Sequence, residues 1–275
     1  MIRTEREMAL AEAWGVLPLV EVESDAGAEL EVRLCGVSHP GLEREENEDS
    51  YCLEVATPTA GDPATAVLLV VAAAPLGAGD RLVPNAVKAA NLAVLDAGQA
   101  TPAYYNMQTT MTTVLLQGGR LTVGHVGDCR LYRLRDGEVE VLTRDHTLAM
   151  DLLRMRMISP EQAMDHPGRY QLTRSLGLDP LLRVDQSQAD VLSGDVYLLC
   201  SDGLWSEVSS EEIGDALRRE RPADACSRLV ELVLQRGAPD NLTAVACRVD
   251  RAPNVAAKGR GGLWQNLLKW RREGN

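Results

Sequence analysis

The 275-residue sequence contains no phenylalanine, and aromatic residues make up only 4% of it. A hydrophobic core must therefore be built from leucine, valine, alanine, isoleucine and methionine. Hydrophobic residues still account for 45% of the chain and charged residues for 25%, which is typical of a globular protein with a sizeable core. This length suits one large layered domain, or at most two small ones.

Positive charge is scarce as well, since the formal net charge is −12 at pH 7. We therefore expect no nucleic-acid binding, which requires a basic face. Long apolar runs are also missing: the longest, residues 66–74, is too short to cross a bilayer. Charges interrupt residues 1–15, unlike the apolar core of a signal peptide. These features predict a cytoplasmic protein.

The six cysteines form no CxxC pair and have no zinc-binding spacing. Apolar runs end at Cys200 and Cys247. This pattern favours buried, reduced thiols over disulfides or metal ligands.

Short runs rich in leucine or β-branched residues recur between residues 30 and 250. Two turn sequences, at 117–120 and 135–138, predict β-hairpins between such runs. Apolar residues at helical spacing predict helices over residues 81–98, 209–220 and 222–236. Many hairpins with a few long helices predict an α+β layered sandwich. The segment 145–180 fits neither pattern and is interpreted as an irregular helical insertion.

Both termini differ from the middle of the chain. We predict an N-terminal appendage over residues 1–30, consisting of a short amphipathic helix, an apolar stretch and a turn-rich segment, before a main domain at 31–250. Residues 251–275 contain a flexible link and a short amphipathic helix, with tryptophan, leucine and basic residues at 263–272. Membrane contact through this helix is not favoured, because one short helix with few charges is a marginal anchor.

Acidic residues adjoin several of the predicted strands. Asp49 and Asp128 lie in REENEDS and HVGDCR, and Asp202 and Asp240 lie in CSDG and APDN. Each alone is more typical of a turn, since Asp-Gly and Pro-Asp are common turn dipeptides. Together, carboxylates at the ends of neighbouring strands can converge at one edge of a sheet. Such oxygen ligands suit Mg²⁺ and Mn²⁺.

Ordered sequence blocks make this acidic set more specific: GVSHPGLEREENEDS, TTVLLQGGRLTVGHVGDCRLYR, LTRDHT, HPGRYQLTRSLG, LLCSDGLW and GAPDNLTAV. Over about residues 34–250 the chain resembles the metal-dependent protein phosphatases of bacterial type (protein phosphatase 2C, PPM-type). The resemblance implies a central antiparallel β-sandwich flanked by helices on both faces, a four-layer αββα fold, with two Mn²⁺ or Mg²⁺ ions at one end. It also implies serine/threonine dephosphorylation in signal transduction, by metal-activated water.

The resemblance assigns roles to matching residues. Arg44 would meet the substrate phosphate, for which a guanidinium fork is suited. Glu48 and Asp49 would lie in and around the metal shell and position waters. Asp202 and Asp240 would ligate one metal directly.

Asp128, together with Asp202, would correspond to a further metal site of bacterial members. Asn241 would support the site from behind the ligands. The family's remaining block, an apolar strand ending in Asp-Gly, is altered: alignment puts Ala73 at the metal-bridging aspartate and Ala74 at the glycine. Ala74 keeps a backbone carbonyl as a ligand, but Ala73 is a lost ligand position because a methyl group has no lone pair.

Three further positions bear on this loss. Asp80 is the nearest acid, but it lies beyond the turn, where the family often already has one, so we do not expect it to substitute. Gln108 and Arg156 stand at or near positions where the family usually has glycine. Drift away from catalysis would explain all these changes. A deliberate Asp-Gly to Ala-Ala replacement would explain positions 73–74 but not Gln108, and both explanations stay open.

Two functions are compatible with this sequence. The favoured one is a catalytically impaired or inactive pseudophosphatase that binds a phosphorylated protein or a kinase-signalling partner. The alternative is an active Mn²⁺/Mg²⁺-dependent serine/threonine phosphatase with reduced metal occupancy or a single ion. Loss of a ligand shared by both ions favours the first, whereas retention of the other acidic residues favours the second.

Overall fold

The computed structural model describes residues 17–23, 30–44, 47–56, 66–71, 82–117 and 119–253. Several sequence predictions fall outside these ranges. They concern the N-terminal helix, Ala73 and Ala74, Asp80, and the C-terminal segment at 263–272.

A six-stranded antiparallel sheet forms one half of the sandwich, in the order β1-β2-β11-β10-β7-β8. Its strands are β1 Leu17–Glu23, β2 Glu31–His39, β7 Arg130–Arg135, β8 Glu138–Val141, β10 Val196–Cys200 and β11 Leu242–Arg251. The predicted hairpin at 135–138 joins β7 to β8. Asp136 and Gly137 both have positive φ there, 52° and 83°, as a tight two-residue turn requires.

A five-stranded antiparallel sheet forms the other half, in the order β3-β4-β5-β6-β9. Its strands are β3 Cys52–Ala56, β4 Ala66–Val71, β5 Met111–Gln117, β6 Arg120–Val126 and β9 Asp185–Asp190. The predicted hairpin at 117–120 joins β5 to β6, with Gln117 paired to Arg120.

The helices begin and end close to the predicted positions. They are α1 Leu82–Ala100, α2 Leu148–Arg154, α3 Pro160–Met164, α4 Asp202–Trp205, α5 Ser210–Arg219 and α6 Pro222–Gln235, with a 3₁₀ turn at Pro102–Tyr104. Ser209 caps α5: its hydroxyl accepts from the Glu212 N–H, and the Glu212 carboxylate accepts from the Ser209 N–H. This reciprocal box fixes the start of α5. The insertion at 145–180 contains α2 and α3 linked by turns, as predicted.

Buried residues form three layers of packing. One cluster, which includes Leu116 and Leu199, joins the facing sides of the two sheets. A second packs α5 and α6 on the outer face of the six-stranded sheet and includes Leu198. A third packs α1 on the five-stranded sheet through Val83 and Val87. Adjacent residues of β10 thus serve different layers, because side chains alternate along a strand. The predicted four-layer α+β sandwich is confirmed.

Two strands were not anticipated from the sequence. Residues 17–23, assigned to the N-terminal appendage, form β1 and pair with β2, so the sheet begins before the predicted boundary at residue 31. The strand β9 was not predicted: its residues DQSQAD are polar, and they form an edge strand in which half-buried and exposed positions alternate. An edge strand with little apolar burial carries little hydrophobic signal.

Five of the six cysteines are buried as predicted, but Cys52 is exposed; all six are free thiols. Within the described ranges, no helix has both the length and the apolar character needed to span a membrane.

Candidate metal centre at one end of the sandwich

Three of the predicted acidic residues lie at the same end of the six-stranded sheet. Asp128 lies just before β7, Asp202 just after β10, and Asp240 just before β11. These strands are antiparallel neighbours, and the first residue of β7 pairs with the last residue of β10. Sheet topology therefore brings together carboxylates that are far apart in sequence.

The carboxylates affect one another electrostatically. Burial, together with the neighbouring charges of Asp202 and Asp145, raises the pKa of Asp128 to about 7. Burial, together with the charges of Asp240 and Asp49, likewise raises the pKa of Asp202 to about 6. Like charges held together in a partly desolvated place disfavour ionisation. A divalent cation would relieve this repulsion.

Asp49 joins the group from the loop that precedes β3. Its Oδ2 accepts hydrogen bonds from Ser201 Oγ at 2.6 Å and Thr243 Oγ1 at 2.9 Å. Burial raises the pKa of Asp49, and these two hydrogen bonds partly offset the effect. The side chain is thereby fixed against the ends of β10 and β11.

Arg44 contacts one of the acidic residues directly. Its Nη2 donates to Oδ2 of Asp240 over 2.9 Å, and the two side chains are 53% and 39% exposed. The other oxygen of Asp240 accepts from the backbone N–H of Asn241. The predicted phosphate-binding arginine therefore lies at the rim of the acidic group and is paired with one member of it.

Asn241 connects the Arg44 loop to the sheet. Its Oδ1 accepts from the backbone N–H of Glu48 at 2.8 Å, and its Nδ2 donates to the carbonyl of Pro40 at 2.7 Å. Asn241 is buried, whereas Glu48 is exposed. Both ends of the loop that carries Arg44 are thus held at the start of β11.

The five-stranded sheet approaches the same place. The last residue of β4, Val71, pairs with Thr112 on β5. Close by in sequence, Thr110 Oγ1 contacts Cys129 Sγ at 3.3 Å, next to Asp128. The chain therefore leaves β4 at the end of the sandwich where the acidic residues converge, two residues before Ala73.

The donor set fits a hard divalent cation in its chemistry. It consists of carboxylate oxygens at one end of the sandwich, with raised pKa values where they approach each other. In the part of the chain that the structure describes, no group of three or more His, Cys, Asp or Glu side chains is close enough to hold a metal ion. The acidic group fits a cation in ligand type, and no complete dinuclear cage is present within those residues.

Several residues around the site were not predicted. Ser201 and Thr243 fix Asp49, and Trp205 donates from Nε1 to the carbonyl of Asp128 at 2.9 Å. Ser201 and Trp205 lie within the block LLCSDGLW and Thr243 within GAPDNLTAV, so adjacency to the aspartates was the available signal. Their partners are distant in sequence, so the contacts themselves left no local pattern.

The two departures at usual glycine positions have different surroundings. Gln108 Oε1 accepts from Ser175 Oγ at 2.7 Å, so this side chain has a structural partner. Arg156 has a φ of 57°, which lies in the region that glycine adopts without steric cost. The positive φ explains a preference for glycine near this position, because arginine adopts such a φ only at a steric cost.

Comparison with known proteins gives a consistent result. The model of the family described as protein phosphatase 2C matches residues 82–242. The serine/threonine protein phosphatase PstP of Mycobacterium tuberculosis is 38% identical over 237 residues, which cover 80% of this chain and 45% of that protein. The serine/threonine phosphatase stp of Listeria welshimeri is 34% identical over 155 residues, covering 56% of this chain and 60% of that protein. The chain spans about half the length of these curated relatives.

Solved structures are similar over nearly their whole length. The crystal structure of the Mycobacterium tuberculosis serine/threonine phosphatase PstP/Ppp has a TM-score of 0.67 at 33% identity, covering 80% of this chain and 99% of that one. The catalytic domain of PstP in complex with two manganese ions has a TM-score of 0.64 at 33% identity, with coverage of 80% and 99%.

Proposed function

This chain belongs to the protein phosphatase 2C family, and we propose that it is a phosphatase-like domain that binds a phosphorylated protein or a kinase-signalling partner while its hydrolytic activity is impaired. The observation that carries this proposal is alanine at position 73. Strand β4, which ends two residues before this position in the sequence, has its last residue at the end of the sandwich where the acidic group lies. The family resemblance expects a carboxylate there that bridges two ions.

The remaining residues support binding of Mn²⁺ or Mg²⁺, as a single ion or at reduced occupancy. Asp202 and Asp240 would hold one ion, and Asp128 with Asp202 would hold a further one, since their oxygens suit hard cations. A bound ion would supply charge neutralisation and a water of lowered pKa. One relative, PstP, is described in complex with two manganese ions.

Recognition of phosphate would fall to Arg44. Its guanidinium is half exposed and already engages a carboxylate, Asp240, which presents the same paired-oxygen geometry as a phosphate. A surface ion pair of this kind contributes only about 0.2–1 kcal/mol. A phosphate group, with its larger charge, could therefore displace the carboxylate.

A second candidate is an active serine/threonine phosphatase. Retention of Asp49, Asp128, Asp202 and Asp240 fits it as well, because an acidic group whose members raise each other's pKa destabilises the fold unless a cation is bound. Both candidates share the cation site and differ in turnover.

Turnover of a phosphothreonine peptide with Mn²⁺ separates the two candidates. We expect the Ala73→Asp, Ala74→Gly double variant to exceed the unmodified chain by at least about 100-fold, since losing a ligand of both ions should cost several kcal/mol of transition-state stabilisation. Asp202→Asn in the double-variant background is the matched control and should remove the gained activity. Equal turnover of the unmodified chain and the double variant would contradict impairment.

Binding is measured separately from turnover. Fluorescence anisotropy should detect a phosphothreonine peptide but not its unphosphorylated form, and Arg44→Ala should weaken binding of the phosphopeptide. If both peptides bind equally, recognition does not depend on phosphate, and the phosphoprotein-binding part of the proposal fails.

A further inference from the structure

The block LTRDHT contains Asp145 and His146. The proposed function gives neither residue a role. We propose that this dipeptide clamps the turn that carries Asp128, and that His146 is a positioning residue that aims the Asp128 carboxylate at the cation site. The inference rests on the proposed function, in which Asp128 is a cation ligand.

His146 holds Gly127 from two sides. The backbone N–H of Gly127 donates to Nδ1 of His146 at 3.1 Å, and the backbone N–H of His146 donates to the carbonyl of Gly127 at 2.7 Å. Gly127 has a φ of 110°, and a Cβ there would lie 2.3 Å from the side chain of Thr110. Only glycine fits this backbone. Gly127, directly before Asp128, therefore has an unusual conformation and is held by two hydrogen bonds to His146.

Asp185 lies beside the other ring nitrogen of this histidine. Nδ1 accepts a hydrogen bond, so the neutral ring carries its proton on Nε2, which lies 3.1 Å from Oδ2 of Asp185. The same carboxylate pairs with Arg174 at 2.7 Å and Arg144 at 3.3 Å. Although burial alone would raise it, contacts with His146 and Arg174 hold the pKa of Asp185 below its usual range. The ring is hydrogen-bonded at Nδ1 and faces a carboxylate at Nε2.

Asp145 holds the other side of the turn. It is 5% exposed and accepts from Arg130 at two oxygens, with Nε–Oδ1 and Nη2–Oδ2 distances of 3.1 and 2.7 Å. Arg130 stacks on Trp205 with its guanidinium carbon 3.6 Å from the ring centroid. Trp205 in turn donates to the carbonyl of Asp128. Gly127 before Asp128, Arg130 two residues after it, and the carbonyl of Asp128 itself are all held.

This clamp matters for cation binding because a carboxylate that is free to move loses conformational entropy when it ligates an ion, and that loss weakens binding. Ligands held beforehand avoid that cost. Loss of a residue that orients a metal ligand typically weakens metal affinity by about 10–100-fold. The clamp should therefore appear in Mn²⁺ affinity as well as in stability.

Two substitutions at position 146 separate its contacts. In His146→Asn, the side-chain oxygen can stand near Nδ1 and accept from Gly127. In His146→Gln, the amide reaches towards Asp185 and leaves the Gly127 N–H without its acceptor. By Mn²⁺ calorimetry we expect about a tenfold loss of affinity for His146→Gln, with partial rescue in His146→Asn. Asp128→Asn marks the full loss of this ligand.

His125 offers a matched control. Its ring is buried and lies 4.8 Å from that of His146. It contacts Thr112 and the carbonyl of Arg144 rather than the turn. His125→Asn should lower Tm by about as much as His146→Gln does. It should leave Mn²⁺ affinity within about twofold, because a purely structural histidine does not orient a metal ligand. If it weakens Mn²⁺ binding as much as His146→Gln does, positioning by His146 is refuted.

Amide hydrogen exchange tests the clamp without metal. The Gly127–Cys129 amides should exchange faster in His146→Gln than in His125→Asn, while the sheets stay protected. Unchanged exchange at Gly127 overturns the clamp. If the unmodified chain and Asp128→Asn bind Mn²⁺ equally, the cation role proposed for Asp128 fails, and amide exchange alone decides the clamp. Should His146→Gln not fold, Asp185→Asn is used in its place, with a smaller loss of affinity expected.

Discussion

The two sheets are packed alike but contribute differently to the candidate site. The six-stranded sheet carries Asp202 and Asp240 at the ends of β10 and β11. In the five-stranded sheet, β4 leads to Ala73 instead of a carboxylate. Packing requires apolar side chains of suitable size at alternating positions, and that requirement does not depend on a carboxylate at position 73. The same fold can therefore form with or without one.

The largest expected effect tests whether the sheets are equal as packing layers. Leu116 on β5 and Leu199 on β10 are almost fully buried and face each other's layer. Each Leu→Ala substitution should lower the free energy of unfolding by about 2–5 kcal/mol, from lost burial and a residual cavity. Denaturant unfolding measures this, with the exposed Leu181→Ala as the control. A cost below about 1 kcal/mol for Leu116→Ala alone would mean that the five-stranded sheet has lost packing as well.

The next largest effect concerns the carboxylates of the six-stranded sheet. Asp202 interacts with Asp128, Asp240 and Asp49, so Asp202→Asn should weaken Mn²⁺ binding by at least about 100-fold, beyond what an outer residue would cost. The same variant should be more stable than the unmodified chain without metal, because one repelling charge is gone. Calorimetry and thermal unfolding give the two readouts. Unchanged Mn²⁺ affinity would exclude Asp202 as a ligand.

Placing a carboxylate at position 73 should make the two sheets more alike. Ala73→Asp should tighten Mn²⁺ binding. At a Mn²⁺ concentration 100 times the Kd of the variant, the variant should gain about 2.7 kcal/mol of stability. The unmodified chain should gain less at the same Mn²⁺ concentration. The comparison is made from unfolding curves with and without Mn²⁺, and Ala73→Ser serves as a control that adds polarity without charge. Equal Mn²⁺-induced stabilisation of all three chains would show that position 73 is not near the cation.

The smallest expected effect comes from Arg44, at the rim of the acidic group. Arg44 and a cation would compete for Asp240, so Arg44→Ala should tighten Mn²⁺ binding by no more than about fivefold, the range of an exposed ion pair worth up to about 1 kcal/mol. Calorimetry at low and high salt tests this, because screening should remove the difference. Weaker binding in Arg44→Ala would instead assign this arginine a supporting role in the metal site.

Local sequence signals predicted most of the fold. Hairpins at 117–120 and 135–138 and the helix that begins near residue 209 were predicted, because turn residues and helical spacing act over short stretches of sequence. The strand β9 was missed because DQSQAD has no apolar alternation. The strand β1 was recognised as apolar but not as part of the sheet, since a pairing partner cannot be read from one segment.

The sequence by itself determined the acidic residues at strand ends, the alanine at position 73 and the layered α+β class, because these depend on residue identity and short-range periodicity. Tertiary structure alone decided that Asp49 is held by Ser201 and Thr243, that Arg44 pairs with Asp240, and that His146 holds Gly127. Each of these contacts joins segments from different strands or loops. Such contacts arise only when the sheets are assembled, and the sequence carries no local mark of them.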